Sequence, residues 1–396
     1  MIGIQYFPQD LDIEEKRVIV RLDLNVPLKN NKIQDYTRIL LTLPFLKDLV
    51  KKKAKIIIVT HLGRPKGIKS SSMSLLPIYK YLKEKIKTNI YFFTGEINNE
   101  TKEKSSHLKS GEILLLENIR FFKGETENDE NFAKIIASLG DIYINDAFSC
   151  SHRKQASIHK ITEYIKQSFA GPLLEKEIKS IDLIIKDKKK PITCIVGGSK
   201  ISTKIGVISN LVKNVDNILI VGAMANNFLR YNGLEVGKSL IEEKSQKIVK
   251  KIYKEAENYS CKIIIPEDCS VSKSFEGLST LKNKNELSKD DIILDIGIKT
   301  IKTIENIIDK SNTVLWNGPA GFFENKNFAY GTNCIAKKIS KNTVDKSLIS
   351  VLGGGDTISA INKIEEKLTF THLSTAGGAF LEYLEGKDLP GLSVLK

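Results

Sequence analysis

Long apolar runs, paired cysteines and arginine are what this chain of 396 residues is short of. No stretch approaches the roughly 18 uninterrupted apolar residues that a membrane-spanning helix needs, so no membrane partner is expected. The opening MIGIQYFPQDLDIEEK carries acids where a signal peptide would need a basic start and an apolar stretch, and export is not expected. The 5 cysteines (Cys150, Cys194, Cys261, Cys269, Cys334) are odd in number, scattered and without a C-x-x-C pair. That excludes a disulfide framework and a zinc site, and fits a reducing cytoplasm. No G-x-G-x-x-G fingerprint occurs, which disfavours a dehydrogenase. GLEVGKS at 233–239 is one residue short between its glycines of a P-loop, and no apolar strand closely precedes it.

Arginine is scarce in a chain with 61 basic residues, and Arg17, Arg21, Arg38, Arg64, Arg120 and Arg153 all fall before residue 154, leaving only Arg230 beyond. Where lysine is the default cation, arginine marks places that need a planar, permanently charged fork to hold a carboxylate or phosphate. The glycine clusters Gly197-Gly198 and Gly353-Gly354-Gly355 lie in the other half. Glycines after apolar runs let backbone N–H groups and a helix N-terminus approach an oxyanion. Two anion sites on two domains are therefore expected. The net charge of +14 raises nucleic acid as a partner, but the lysines are spread along helices without an aromatic-interleaved basic stripe. No nucleic-acid partner is expected; a diffuse positive field concentrates small polyanionic substrates instead.

Apolar runs rich in β-branched residues recur at 17–22, 55–59, 112–116 and 141–144, then at 192–196, 217–221, 262–265, 313–316 and 348–352. Helical patterns lie between them, at 36–52, 75–87, 131–139, 205–213 and 242–257. Short buried strands alternating with amphipathic helices predict an α/β protein of two domains, each a parallel, Rossmann-like sheet flanked by helices. Gly171-Pro172 opens the helical stretch LLEKEIKSIDLIIK, which runs into the charged residues 186–190 and Pro191. This predicts a connecting hinge helix at 171–190 between domains 1–170 and 191–375, with 376–396 as a C-terminal segment able to pack back on the first domain.

Ligands of open parallel sheets bind at the carboxyl ends of the strands, and the polar clusters fall there. Asp23 and Asn25 follow the first strand, His61 and Arg64 the second, Asn118 and Arg120 the run at 112–116, and His152 and Arg153 the run at 141–144. With Arg38 these residues offer four arginines and two histidines against one acid, Asp23, too few carboxylates for structural ion pairs. They predict a site for a multiply charged oxyanion. In the second half, Lys200 and Lys204 share one helical face if a helix begins near Ser199, and two lysines beside a glycine turn can neutralise a polyphosphate. GGGDT gives N–H groups for phosphate, Asp356 as an acid for Mg²⁺ and the Thr357 hydroxyl for phosphate.

The segments RLDLNVP, HLGRPKG, LENIRFFKGE, NDAF, SHRKQAS, GGSKISTK, MANNF, WNGPAGFFE, GGGDT, LSTAGGAFLE and LEGKDLPG run through the whole chain in the order of one family. Their pattern closely resembles phosphoglycerate kinase. The resemblance implies reversible transfer of the acyl phosphate of 1,3-bisphosphoglycerate to ADP, giving 3-phosphoglycerate and ATP. It further implies Mg²⁺-assisted in-line transfer after domain closure, in a cytoplasmic monomer of glycolysis or gluconeogenesis. By the same resemblance Arg64, Arg120 and Arg153 hold the triose phosphate beside His61, and Asp23 and Asn25 contact the glycerate. Arg38 sits at the carboxyl end where phosphate moves. Lys200 and Lys204 neutralise the nucleotide phosphates, Lys204 following the transferred group. Asn317, Pro319 and Glu324 line the nucleoside site, and Gly354, Gly355, Asp356 and Thr357 form the phosphate and metal loop. Ala223, Ala376 and Cys150 stand where the family often has other small residues. The first two are expected to narrow a nucleotide or closure contact, and Cys150 to be open to oxidation.

Overall fold

In a computed structural model, residues 3–186 and 189–396 are described; Asp187 and Lys188 of the expected charged run lie outside them. The chain divides into two compact units, Met1–Ile178 with Asp388–Lys396, and Lys179–Lys387. The first division falls inside the helix Pro172–Ile185.

The first unit is built on six parallel strands in the spatial order Ile90–Phe93, Ile113–Leu116, Lys55–Val59, Arg17–Leu22, Ile142–Asp146 and Gln167–Ala170. Val18, Ile19 and Val20 are all buried although successive side chains point to opposite faces, so both faces of the sheet are covered. The helix Thr37–Lys51 turns Ile39, Leu43, Leu46 and Leu49 into the core at three- and four-residue spacing. Each such buried side chain contributes about 1.5–3 kcal/mol. The end of the chain closes this unit: Gln5 N donates to Leu395 O at 2.7 Å and Gly391 N to Ser151 O at 2.8 Å.

The second unit repeats the plan in the order Lys262–Ile264, Asn217–Ile220, Ile192–Val196, Thr313–Asn317, Ile349–Gly353 and His372–Ser374, again parallel. Trp316 is wholly buried in its core. A separate antiparallel sheet pairs Asp268–Ser272 with Thr280–Asn283 and Ile292–Ile296.

The strands expected from the sequence are all present to within two residues. Of the strands not anticipated, QSFA at Gln167–Ala170, HLS at His372–Ser374 and DCSVS at Asp268–Ser272 carry too little apolar patterning to announce themselves, whereas the apolar IYFF at Ile90–Phe93 and IILDI at Ile292–Ile296 were passed over. One expectation is corrected. The helix after Ile192–Val196 begins at Ile205, not near Ser199, and Lys204 is its N-cap. Lys200 and Lys204 therefore sit in a turn and do not share a helical face.

The helix Pro172–Ile185 is anchored at its start by a carboxylate from a neighbouring strand end. Asp146 Oδ1 accepts from Leu173 N at 2.7 Å and Leu174 N at 3.0 Å, two backbone donors that the first helical turn cannot satisfy itself. Gly171 makes room, since a Cβ there would lie 2.5 Å from Asp146 Oδ1. Asp146 Oδ2 is buried without a partner, and burial pushes the carboxyl up to about 7 against the pull of the two N–H groups.

A folded-state pKa above the unfolded one means that the native protein binds the extra proton between about pH 4 and 7, so this group adds stability as pH falls through 7. In thermal melts, the stability of the wild type relative to Asp146→Asn should grow from pH 8 to pH 5, with a limiting slope of about 1.4 kcal/mol per pH unit. A pH-independent difference would contradict the assignment.

Candidate active site

In the first unit, the loops after four parallel strands converge on His61. Arg38, on the helix Thr37–Lys51, donates through Nη1 to Asp23 Oδ2 at 2.6 Å and to Asn25 O at 3.1 Å. Ser149 Oγ donates to the same Asp23 oxygen. Asn25 Oδ1 in turn accepts from Gly63 N at 2.8 Å, tying the first loop to the second. Asn118 clamps that second loop, donating to Leu62 O at 2.7 Å and accepting from Leu62 N at 3.2 Å. Arg120 follows and gives Nη1 to Gly63 O at 2.9 Å. Arg153 donates its backbone N–H to Cys150 O at 3.1 Å and Nε to His152 at 3.1 Å.

The electrostatics are lopsided. Arg64, Arg120 and Arg153 make no salt bridge among the described residues, and the Nε of Arg120 is buried unpaired. Burial, and then Arg21 and Arg153, bring Arg120 down to about 10, so it remains charged at neutral pH. His61 is held well below the ordinary histidine range by burial first, then by Arg21, Arg120, Arg38 and Arg153. It is neutral and unsuited to carry a proton in and out. Arg64 remains exposed one residue past Gly63.

Asp23, His61 and Cys150 bring ligand-type atoms within 4.8 Å of one another. A cation does not fit there, because Arg21 Nη2 stands 3.3 Å from His61 Nδ1 and 3.8 Å from Cys150 Sγ, and Arg38 holds Asp23. The expectation that Cys150 is open to oxidation is also corrected. It is 3% exposed, and burial raises its pKa, so the reactive thiolate is suppressed.

Arg21, which the sequence reading did not place in this site, lies within it beside His61. The available signal was an arginine set within the apolar strand RVIVRL, where a buried charge needs a purpose.

In the second unit, three glycine-rich strand ends interlock. A Cβ on Gly197 would lie 2.2 Å from Pro319 O, so these loops approach backbone to backbone. Gly354 takes φ +101° and abuts Asn317, whose Nδ2 donates to Gly353 O at 2.8 Å. Lys204 Nζ folds onto this frame, donating to Gly197 O at 2.6 Å and to Asn317 Oδ1 at 2.6 Å. Burial lowers Lys204 to about 8, while Asp356 pulls the other way. The Thr357 hydroxyl, expected to meet phosphate, is engaged within the turn: it donates to Gly353 O at 2.9 Å and accepts from Gly318 N at 2.7 Å.

Asp356 is exposed, with no hydrogen bond or salt bridge among the described residues. It borders a cavity of 310 Å³ walled by Leu229, Leu240, Phe275 and Phe322, with Pro319 and Glu324 in its lining. Lys200 stays exposed.

A family model described as phosphoglycerate kinase matches residues 8–387. A curated phosphoglycerate kinase of Wolbachia sp. subsp. Drosophila simulans (strain wRi) is 44% identical over 98% of each chain. Among solved structures, phosphoglycerate kinase from Coxiella burnetii superposes with a TM-score of 0.90 at 36% identity, covering 98% of this chain and 97% of that one. The enzyme from Pyrococcus horikoshii OT3 gives 0.82 at 30% identity, covering 98% of both. The chain belongs to the phosphoglycerate kinase family.

Members of the phosphoglycerate kinase family are phosphotransferases that use ATP and ADP, and so is this chain. Among the described residues, no helix is long and apolar enough to cross a membrane. Ala223 and Ala376 occupy ordinary places. Ala223 opens the helix Ala223–Tyr231 behind Gly222 and touches the cavity, and Ala376 is 5% exposed within a turn where its N–H donates to Ser374 Oγ.

A lysine lowered to about 8 keeps its charge below that pH and loses it above. For the free enzyme, kcat/KM for ATP should therefore fall as pH rises through about 8, and Lys204→Arg should carry that alkaline limb beyond the range of measurement. Superimposable limbs in the two proteins would assign the titration elsewhere.

Proposed function

We propose that the chain transfers the acyl phosphate of 1,3-bisphosphoglycerate to ADP, reversibly, with the first unit holding the three-carbon acid and the second the nucleotide. The observation that carries this reading is the set of guanidinium groups around a neutral histidine, with Asp23, the acid beside that ring, already taken by Arg38. Such a pocket matches a small molecule bearing a phosphate and a carboxylate.

In the direction that makes ATP, the attacking ADP oxygen is an anion; in reverse, the carboxylate of 3-phosphoglycerate is. Neither requires a base, so the site works by positioning and charge neutralisation. Arg64, Arg120 and Arg153 hold the triose phosphate, with His61, Asp23 and Asn25 on the glycerate. Arg38, positioned by Asp23, meets the moving phosphoryl group from one side. Lys204 leaves its carbonyl partners to follow that group from the other, with Lys200 beside it. Asn317, Pro319 and Glu324 hold the nucleoside, and Gly354, Gly355 and the start of the following helix hold phosphate.

Asp356 suits Mg²⁺, since that ion usually takes one or two protein carboxylates together with substrate phosphates, and Asp356 is exposed without a protein partner. When bound, Mg²⁺ neutralises charge on the nucleotide phosphates. Residues 1–170 and 191–375 serve as the two binding domains and 171–190 as the hinge, flexing with the turn at 374–378 so that the bound substrates meet away from water. A cytoplasmic monomer in glycolysis or gluconeogenesis completes the reading.

A coupled assay of ATP-dependent phosphorylation of 3-phosphoglycerate tests the proposal, and absence of turnover with Mg²⁺ present would refute it. Within that assay Arg38→Ala should lower kcat by about 10²–10³-fold, the usual loss for a group that stabilises developing charge. Arg153→Ala should instead raise KM for 3-phosphoglycerate by about 10–100-fold, the worth of a charged hydrogen bond. Equal loss of kcat with unchanged KM in both would contradict this division.

A further inference from the structure

We propose that Arg21 is a positioning residue that fixes His61 as the neutral tautomer carrying its proton on Nε2, so that His61 offers the bound acid one directed hydrogen bond. This rests on the reading of the arginine-lined pocket as the 3-phosphoglycerate site.

Arg21 is 0% exposed, at the fifth position of the strand Arg17–Leu22. Its Nε donates to Ser157 Oγ at 2.9 Å, Nη1 donates to Leu22 O, and Nη2 lies 3.3 Å from His61 Nδ1. A guanidinium has five donors, no acceptor, and does not lose its proton in the accessible pH range. His61 Nδ1 must therefore be the acceptor, which leaves the single ring proton of the neutral imidazole on Nε2. The other tautomer would set an N–H of the ring against an N–H of the guanidinium.

Cys150 agrees with this assignment. Its Sγ lies 3.8 Å from the same Nδ1 and accepts from Arg21 Nη2 at 3.8 Å, and burial keeps it a thiol, whose S–H can donate toward that nitrogen.

The groups that face His61 from the neighbouring elements are Arg21 on its strand, Arg38 on the helix Thr37–Lys51, Arg120 after the strand Ile113–Leu116 and Arg153 after Ile142–Asp146. Asp23 is the acid within reach. Burial and four cations oppose a charged imidazolium, so the ring is neutral at neutral pH and its direction of donation is fixed there. His61 Nε2 has no hydrogen-bond partner among the described residues and is not sealed from solvent, unlike Arg120 Nε. Phosphate, carboxylate and hydroxyl oxygens of the three-carbon acid can all accept from it.

Arg21 is itself aimed from behind. Ser157 Oγ donates to Glu125 Oε1 at 2.7 Å and Ser157 N to Glu125 Oε2 at 2.8 Å, while Tyr143 Oη holds Ser157 O at 2.6 Å. Glu125, Ser157 and Arg21 form a buried relay that ends on the histidine ring. Arg21 thus acts on the substrate through His61 and need not touch it.

Ring-nitrogen NMR of the ¹⁵N-histidine-labelled full chain, without substrate, reads the tautomer directly. The expected spectrum shows His61 protonated at Nε2 and unprotonated at Nδ1 throughout pH 5.5–8, and a mixed or titrating ring in Arg21→Met. A wild-type ring protonated at Nδ1, or charged at pH 6, overturns the proposal.

In kinetics, Arg21→Met should raise KM for 3-phosphoglycerate by about tenfold, the worth of one directed hydrogen bond, with a smaller change in kcat. In a His61→Gln background, whose side-chain amide can donate at the Nε2 position whatever its neighbour, the same substitution should change KM less than threefold. An equal rise in both backgrounds means that Arg21 does not act through His61. If Arg21→Met does not fold, Arg21→Lys, too short to reach Nδ1 with its charge kept, is measured in the same way and should move the ring spectrum and KM in the same direction. Failure of wild-type turnover would remove the 3-phosphoglycerate reading yet leave the ring spectrum to decide the tautomer.

Discussion

Crowding guanidinium groups around one histidine is the constraint that the first unit is built to meet. Two unit charges about 4 Å apart interact by roughly 1 kcal/mol in water and several times that near a protein surface, and here the signs are alike. The fold answers with oriented acceptors. Arg38 has Asp23 and a backbone carbonyl, Arg120 has Gly63 O, and Arg21 has Leu22 O and the hydroxyl of Ser157. Carbonyls and hydroxyls offset the repulsion without cancelling the positive field, whereas one carboxylate per arginine would have made a self-satisfied ion-pair cluster with no use for an anion.

The second unit meets a related demand by other means. A single lysine is drawn into a frame of glycine turns, where the carbonyls of Gly197 and Asn317 receive it. Those contacts are neutral dipoles and can be exchanged for phosphate oxygens, which a carboxylate partner would resist. Asp356 is close enough to support the charge of Lys204 electrostatically but makes no salt bridge with it among the described residues.

Much of this was legible in the sequence because parallel sheets write themselves plainly. Runs such as VIVRL and KIIIV are apolar on both faces, and the rule that ligands gather at strand carboxyl ends then selects the loops holding Asp23, His61, Arg120, Lys204 and Asp356. The antiparallel sheet was not legible, since TLKN and DCSVS alternate weakly. Nor was the start of the helix at Ile205, because SKISTK fits a turn and a helix equally well; in the fold Lys204 is the N-cap of the helix, with its Nζ on Gly197 O and Asn317 Oδ1. What a residue type can offer is readable from sequence; what is already spoken for is not. Thr357 was read as a hydroxyl for phosphate and Cys150 as open to oxidation, and tertiary packing engages the first within its turn and buries the second.

The same distinction explains the two buried carboxyls that lie at about 7. Asp146 receives the first turn of the helix Pro172–Ile185, and Asp295 receives Gly331 N at 2.8 Å and Ile296 N at 2.9 Å. Among the described residues neither has a cation to neutralise it; the partners are backbone N–H groups, three of the four at the start of the helix Pro172–Ile185 or Tyr330–Asp345, where orphan donors favour negative charge. Both would be costly as isolated charges, and desolvation accordingly outweighs the N–H groups in setting their pKa. The chain leaves these structural acids to backbone dipoles and spends no arginine on them, and Arg64, Arg120 and Arg153 keep no salt bridge among the described residues.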